Sequence, residues 1–150
     1  MSVRRTRNDI GFWYCLLDPT VEHAVLDENG NETGEVIPHY EDAVQMWANV
    51  SPATGIAQTE LFGNLDNYDK VIVTTDMNCP VNEQSVLFLD SEPSYSTVTT
   101  HEIVAGDPLQ NTDDSIEPVT YSVPKYDYIV RRVARGLNAI SFAVRKVEIV

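Results

Sequence analysis

YDYIVRRVARGLNAISFAVRKVEIV, residues 126–150, is the stretch whose reading decides the fold. It divides into two strands joined by a short turn at Arg135-Gly136-Leu137-Asn138, where Gly136 and Asn138 are expected to supply the positive φ of a tight reversal. In the first arm Tyr128 and Val130 fall on one face, with Ile129, Arg131 and Val133 on the other. In the second, Ile140, Phe142 and Val144 alternate with Ala139, Ser141, Ala143 and Arg145. Apolar groups on both faces suit a sheet that curls over a core and meets a neighbour on its outer side. Val130, Val133, Ala134 and Leu137 also fit a helical period, but the β-branched content and Gly136 favour strands. Five cations, Arg131, Arg132, Arg135, Arg145 and Lys146, sit on this hairpin.

Outward from the hairpin, the rest of the chain is also strand-like. Gly11-Phe12-Trp13-Tyr14-Cys15-Leu16-Leu17 is an apolar run ended by Asp18-Pro19; one side of it enters a core and the other meets a partner or the basic arm. Val21–Leu26 and Glu35–Pro38 form a hairpin around Asn29-Gly30, the strongest turn signal in the chain. Asp27, Asn29 and Asn31 imitate the start of a calcium loop, but Glu32 stands at its glycine position and Pro38 at its closing glutamate, so a polar hairpin tip is the better reading. Val44–Val50 alternates cleanly, 70–75 is a β-branched strand, and 85–90 is another short one. Residues 91–124 hold four prolines, six carboxylates and no Lys or Arg, with weak strand patches at 97–104 and 119–123. They read as a long acidic loop, mobile in the isolated chain. The expected fold is all-β, a small barrel or sandwich with a C-terminal hairpin. A basic arm at 1–10 precedes a single domain at 11–150, into which the 91–124 loop is inserted.

Charge is distributed unevenly along the 150 residues. Residues 1–7 carry +3, residues 8–124 carry −20 and residues 125–150 carry +4, for a net −13. An acidic middle repels nucleic acid, which argues against sequence-reading DNA binding. Basic ends and an acidic flank suit head-to-tail contact between copies, although a solvated acidic surface alone would account for the same totals. Two cysteines without CxxC spacing favour a reduced setting, no apolar run approaches the ~20 residues of a membrane span, and no signal-peptide segment follows the basic start. An intracellular soluble protein is expected.

The motifs of catalysis are missing: there is no GxSxG, HExxH, phosphate loop or paired-cysteine metal spacing. His23, His39 and His101 are scattered, and each reads as a turn or surface residue. Cys15, within an apolar strand, reads as a buried, inert thiol. No catalytic residue, metal or cofactor is expected.

Trp47-Ala48-Asn49-Val50-Ser51-Pro52-Ala53-Thr54-Gly55, then the 71–75 strand, the Pro80–Asp90 stretch and Tyr126-Asp127-Tyr128-Ile129-Val130, follow one another in an order that resembles the head–tail adaptor (head-closure) proteins of long-tailed bacteriophages. The sequence departs from that pattern in its 34-residue acidic connection and in Glu60, where a basic residue is common. The resemblance implies a structural virion component of the neck, a ring of six or twelve copies. That ring would sit between a portal-side connector ring and a tail-side ring, lining the channel through which DNA passes, with no membrane partner. Arg4, Arg5, Arg7, Phe12, Trp13, Arg131, Arg132 and Arg135 would then form the subunit interface. Glu102, Asp107, Asp113, Asp114 and Glu117 would face the lumen or clamp the next ring. A tail-terminator ring, or a monomeric β-barrel binding module presenting Phe12-Trp13-Tyr14, are the alternatives.

Overall fold

Alternation with period two places one side of each barrel strand inward, and the computed structural model shows where those sides meet. It describes residues 9–52, 68–105 and 117–147, which hold ten strands and no helix. The strands are β1 (Asp9–Cys15), β2 (Leu17–Leu26), β3 (Glu32–Tyr40), β4 (Val44–Pro52), β5 (Lys70–Thr74), β6 (Val86–Phe88), β7 (Tyr95–Val104), β8 (Val119–Pro124), β9 (Tyr128–Arg135) and β10 (Ile140–Lys146). Two compact units result. One is a closed antiparallel barrel in the order β1-β4-β5-β10-β9-β6, and the other is a four-stranded sheet in the order β3-β2-β7-β8.

The barrel is solid. Phe12 and Tyr14 of β1, Ala48 of β4, Ile72 of β5, Leu87 of β6, Tyr128 and Val130 of β9, and Ile140, Phe142 and Val144 of β10 fill it from every wall. Ile140, Phe142 and Val144 are one of the two alternating sets that the sequence sets apart in β10. The core aromatics leave the interior occupied by side chains, as in other small closed barrels. On the outer side Val71 and Ala143 are buried with Val73, Ala134 and Tyr68 packed around them, so the barrel wall is apolar on both faces there.

Strand β9 breaks the expected alternation. Ala143 faces Arg132 across the ladder but Val144 faces Val130, which leaves Arg131 as an extra, bulged residue. The bulge resets the pleat, so Val133 joins Val130 against the core instead of pointing away from it. The turn differs too. Neither Gly136 nor Asn138 has positive φ, and the reversal at Leu137-Asn138 is closed by the Gly136 N–H donating to the Ala139 carbonyl at 2.9 Å. The positive-φ glycines lie at the other hairpin: Gly30 (φ 80) in the β2–β3 turn and Gly34 (φ 91), where the register of that pair shifts.

The acidic stretch 91–124, read as a loop, contributes β7 and β8. With the 17–41 hairpin these strands build the second unit, so the described residues form a barrel and a separate sheet where the sequence suggested one domain with an inserted loop. Residues 1–8 of the expected 1–10 arm and the acids at 107, 113 and 114 lie outside the described residues, while Asp9 and Ile10 belong to β1 and not to an arm.

Gly11 is required by its neighbour across the ladder. It pairs with Trp47, and a Cβ at residue 11 would stand 2.8 Å from Trp47 Nε1 and 3.2 Å from Cδ1. An indole ring cannot yield as the end of a flexible chain does. Gly11→Ala is therefore expected to lose about 1–3 kcal/mol and to shift tryptophan emission. An unchanged urea midpoint with unchanged emission would refute this packing.

Candidate functional site

The hairpin β9–β10 contains no carboxylate between Tyr128 and Lys146, so its cations must find partners elsewhere. Lys146 does: its ammonium is 3.7 Å from Asp90 Oδ2. Arg131, Arg132, Arg135 and Arg145 are exposed, and among the described residues none of them makes an ion pair. Arg132 lies opposite Ala143, and Arg145 is two residues along from Ala143, so both belong to the outer face. Simple alternation required only one of Arg131 and Arg132 to leave the core; the bulge exposes both.

The rest of the expected interface fares differently. Phe12 is 1% exposed within the barrel core and is withdrawn from the set, because a side chain that fills a core cannot also cover a partner. Trp13, its neighbour on the opposite face, is half-buried and pairs with Gln45 and Phe88. Glu102 is exposed but stands on β7 opposite His23, in a strand and not in a loop. Glu117 is exposed just before β8. Arg4, Arg5, Arg7, Asp107, Asp113 and Asp114 are outside the described residues.

One end of the barrel is closed by a polar network. Asp127, 4% exposed, accepts from the Leu89 and Asp90 N–H groups at 2.7 and 2.8 Å and from the Ser91 hydroxyl at 3.2 Å. Tyr128 donates its hydroxyl to Asp90 Oδ2 at 3.0 Å, and Lys70 reaches Asp90 Oδ1 at 3.4 Å while lying 5.3 Å from the Tyr128 ring centre. Burial pushes the Asp90 carboxyl up, but the Tyr128 hydroxyl and the two lysines outweigh it and hold the acid below its usual range. Every charged group here has a partner, so the network ties the β6 exit to the starts of β5 and β9 and the end of β10.

The four-stranded sheet holds a cluster that sequence spacing did not reveal. His23, 2% exposed, meets Thr100 Oγ1 through Nδ1 at 3.0 Å and His39 Nδ1 through Nε2 at 2.8 Å. Its ring stacks on Tyr121 at 3.8 Å and 8°, and the Tyr121 hydroxyl accepts from the Tyr40 N–H at 2.8 Å. His23 is therefore a core residue and not a surface one. The signal that would have found it is register: His23 faces Ile37, which puts His39 two residues along on the same face, within diagonal reach. His101 lies 3.5 Å from Glu32.

At the tip of that hairpin Asp27 Oδ1 accepts from the backbone of Asn29 and Asn31, both at 2.9 Å, so the calcium-like residues organise a turn. Among the described residues no group of three or more His, Cys, Asp or Glu side chains is placed to hold a metal ion. Cys15 and Cys79 are buried free thiols. Burial, with Asp42 nearby, pushes Cys15 up to about 11, far from the thiolate that a nucleophile needs. No protein-family model, curated protein or solved structure matches this chain.

Proposed function

We propose that this chain is a structural assembly subunit, a non-catalytic ring component of the kind that joins head to tail in long-tailed bacteriophages. The observation that carries the reading is the set of four exposed arginines, unpaired among the described residues, on one hairpin of a chain with net charge −13. A charged face without ion-pair partners among the described residues is complementary to the acidic flank of another copy. Because the two surfaces differ, the contact is heterologous and propagates until it closes. A barrel filled with aromatic and branched side chains gives a rigid body for such a wall. An acidic tube lining lets DNA pass without gripping phosphate, which fits a neck position between a portal-side connector and a tail-side ring.

The test is the oligomeric state of the full chain. Arg131→Glu with Arg132→Glu is expected to weaken assembly at least tenfold in light scattering, with far-ultraviolet circular dichroism unchanged. Raising salt should weaken the unmodified assembly in the same direction. A double variant that assembles like the parent would remove the hairpin from the interface. A chain that stays monomeric at all concentrations and beside virion neighbours would end the reading itself.

A further inference from the structure

Leu137 is 96% exposed at the apex of the β9–β10 turn. A single exposed leucine is ordinary on a protein surface. This one sits two residues beyond Arg135 at the tip of a hairpin with five cations and no carboxylate. The same chain also contains a surface of the opposite kind. Residues 17–41 carry seven carboxylates and no Lys or Arg. Where β2 pulls away from β3, the ladder passes from Asp18↔His39 directly to Glu22↔Pro38, leaving three residues of β2 without partners on β3. An open groove of about 410 Å³ lies there, with Val21, Val36, Ile37 and Pro38 in its wall and Asp18 and Glu22 at its rim. Val36 is 49% exposed.

We propose that Leu137 inserts into this groove on a second copy of the chain, with Arg135 set against Asp18 and Glu22. The proposal rests on the assembly reading above and names the two surfaces that meet. An apolar anchor in a pocket with charges around it is the arrangement that concentrates binding energy at protein interfaces. Asp18 is prepared for the role: the Thr20 N–H at 3.0 Å and hydroxyl at 2.6 Å fix its carboxylate and hold it ionised below the usual range. Knob and groove are different surfaces, so each contact leaves a free knob on one copy and a free groove on the other. The chain of contacts therefore continues until it closes on itself.

Cysteine pairing tests the contact directly, because the native thiols are buried. Leu137→Cys protein is mixed with Val36→Cys protein under mild oxidation, beside a control mixture with Val119→Cys on β8, where Val119 is 37% exposed. A 137–36 disulfide is expected in clear excess over 137–119. Leu137→Asp should raise the concentration needed for assembly at least tenfold with the melting curve unchanged, and Leu137→Met should retain assembly. Equal yields in the two mixtures, a dominant 137–137 disulfide, or a Leu137→Asp protein that assembles normally would each overturn the groove contact while leaving the arginine reading standing. An unmodified chain that is monomeric at every concentration would overturn both.

Discussion

Replacing Asp127 by Ala is expected to remove about 3 kcal/mol of stability and to lower the melting temperature by roughly 6–12 °C. The carboxylate is 4% exposed and accepts two backbone N–H groups, from Leu89 and Asp90, together with the Ser91 hydroxyl. Deleting it leaves those donors facing a space with no acceptor, and an unmade bond on a buried donor costs about 1–3 kcal/mol. The backbone of Asp127 is fixed as well: its N–H donates to the Leu87 carbonyl and its carbonyl accepts from Val147 N–H, at 3.0 and 2.8 Å. The substitution thus removes the side-chain tie between the β6 exit and the start of β9 without freeing the main chain. Asp127→Asn gives an intermediate result, because one amide oxygen still accepts from a single backbone N–H while the amide nitrogen confronts the other donor. Urea unfolding with unchanged m-value reads both variants. An Asp127→Ala midpoint equal to that of the parent would show that water satisfies those donors.

Asp127 also marks the boundary of what local sequence could reveal. Alternation separated the two faces of β4 and β10, where apolar residues recur at every second position, but not those of β1 or β5, which are apolar on both sides. It failed within β9, because a one-residue bulge at Arg131 shifts every later side chain to the other face, and RRVA carries no mark of it. Strands β7 and β8 were visible only as weak patches. Thr97, Thr99 and Thr100 are β-branched but polar, and the acids and prolines around them dominate a compositional reading. The exposed arginines were legible as charge, but the absence of an ion pair to them among the described residues was not, since it depends on which strands lie beside them. Phe12 and Trp13 are adjacent in sequence and opposite in fate. Only the pairing of β1 with β4 and β6 shows which of the two enters the barrel.

The second large effect concerns His23, whose contribution to stability is expected to disappear as pH falls. Burial holds its imidazole below the ordinary value of 6.5, with His39 acting in the same direction and Glu102 opposing. The groups facing it are His39 from β3, Thr100 and Glu102 from β7 and the Tyr121 ring from β8, and only Glu102 favours a proton. The unfolded chain therefore binds the proton more readily than the folded one, so the contribution is complete above pH 6.5 and is lost progressively as pH falls below it toward the depressed folded value. The 2.8 Å contact between His23 Nε2 and His39 Nδ1 sharpens the argument, because one of these two nitrogens must act as the acceptor. Replacing His23 by Gln removes the titration and the stack on Tyr121, at a cost of about 2–3 kcal/mol at pH 7.5. Between pH 7.5 and 5, the loss of stability should be smaller in His23→Gln than in the parent. A chain of net charge −13 is relieved of repulsion on acidification, which moves both proteins the other way, so the difference between the two slopes isolates the histidine. Parallel slopes in urea unfolding across that range would show that His23 accepts its proton without opening the sheet.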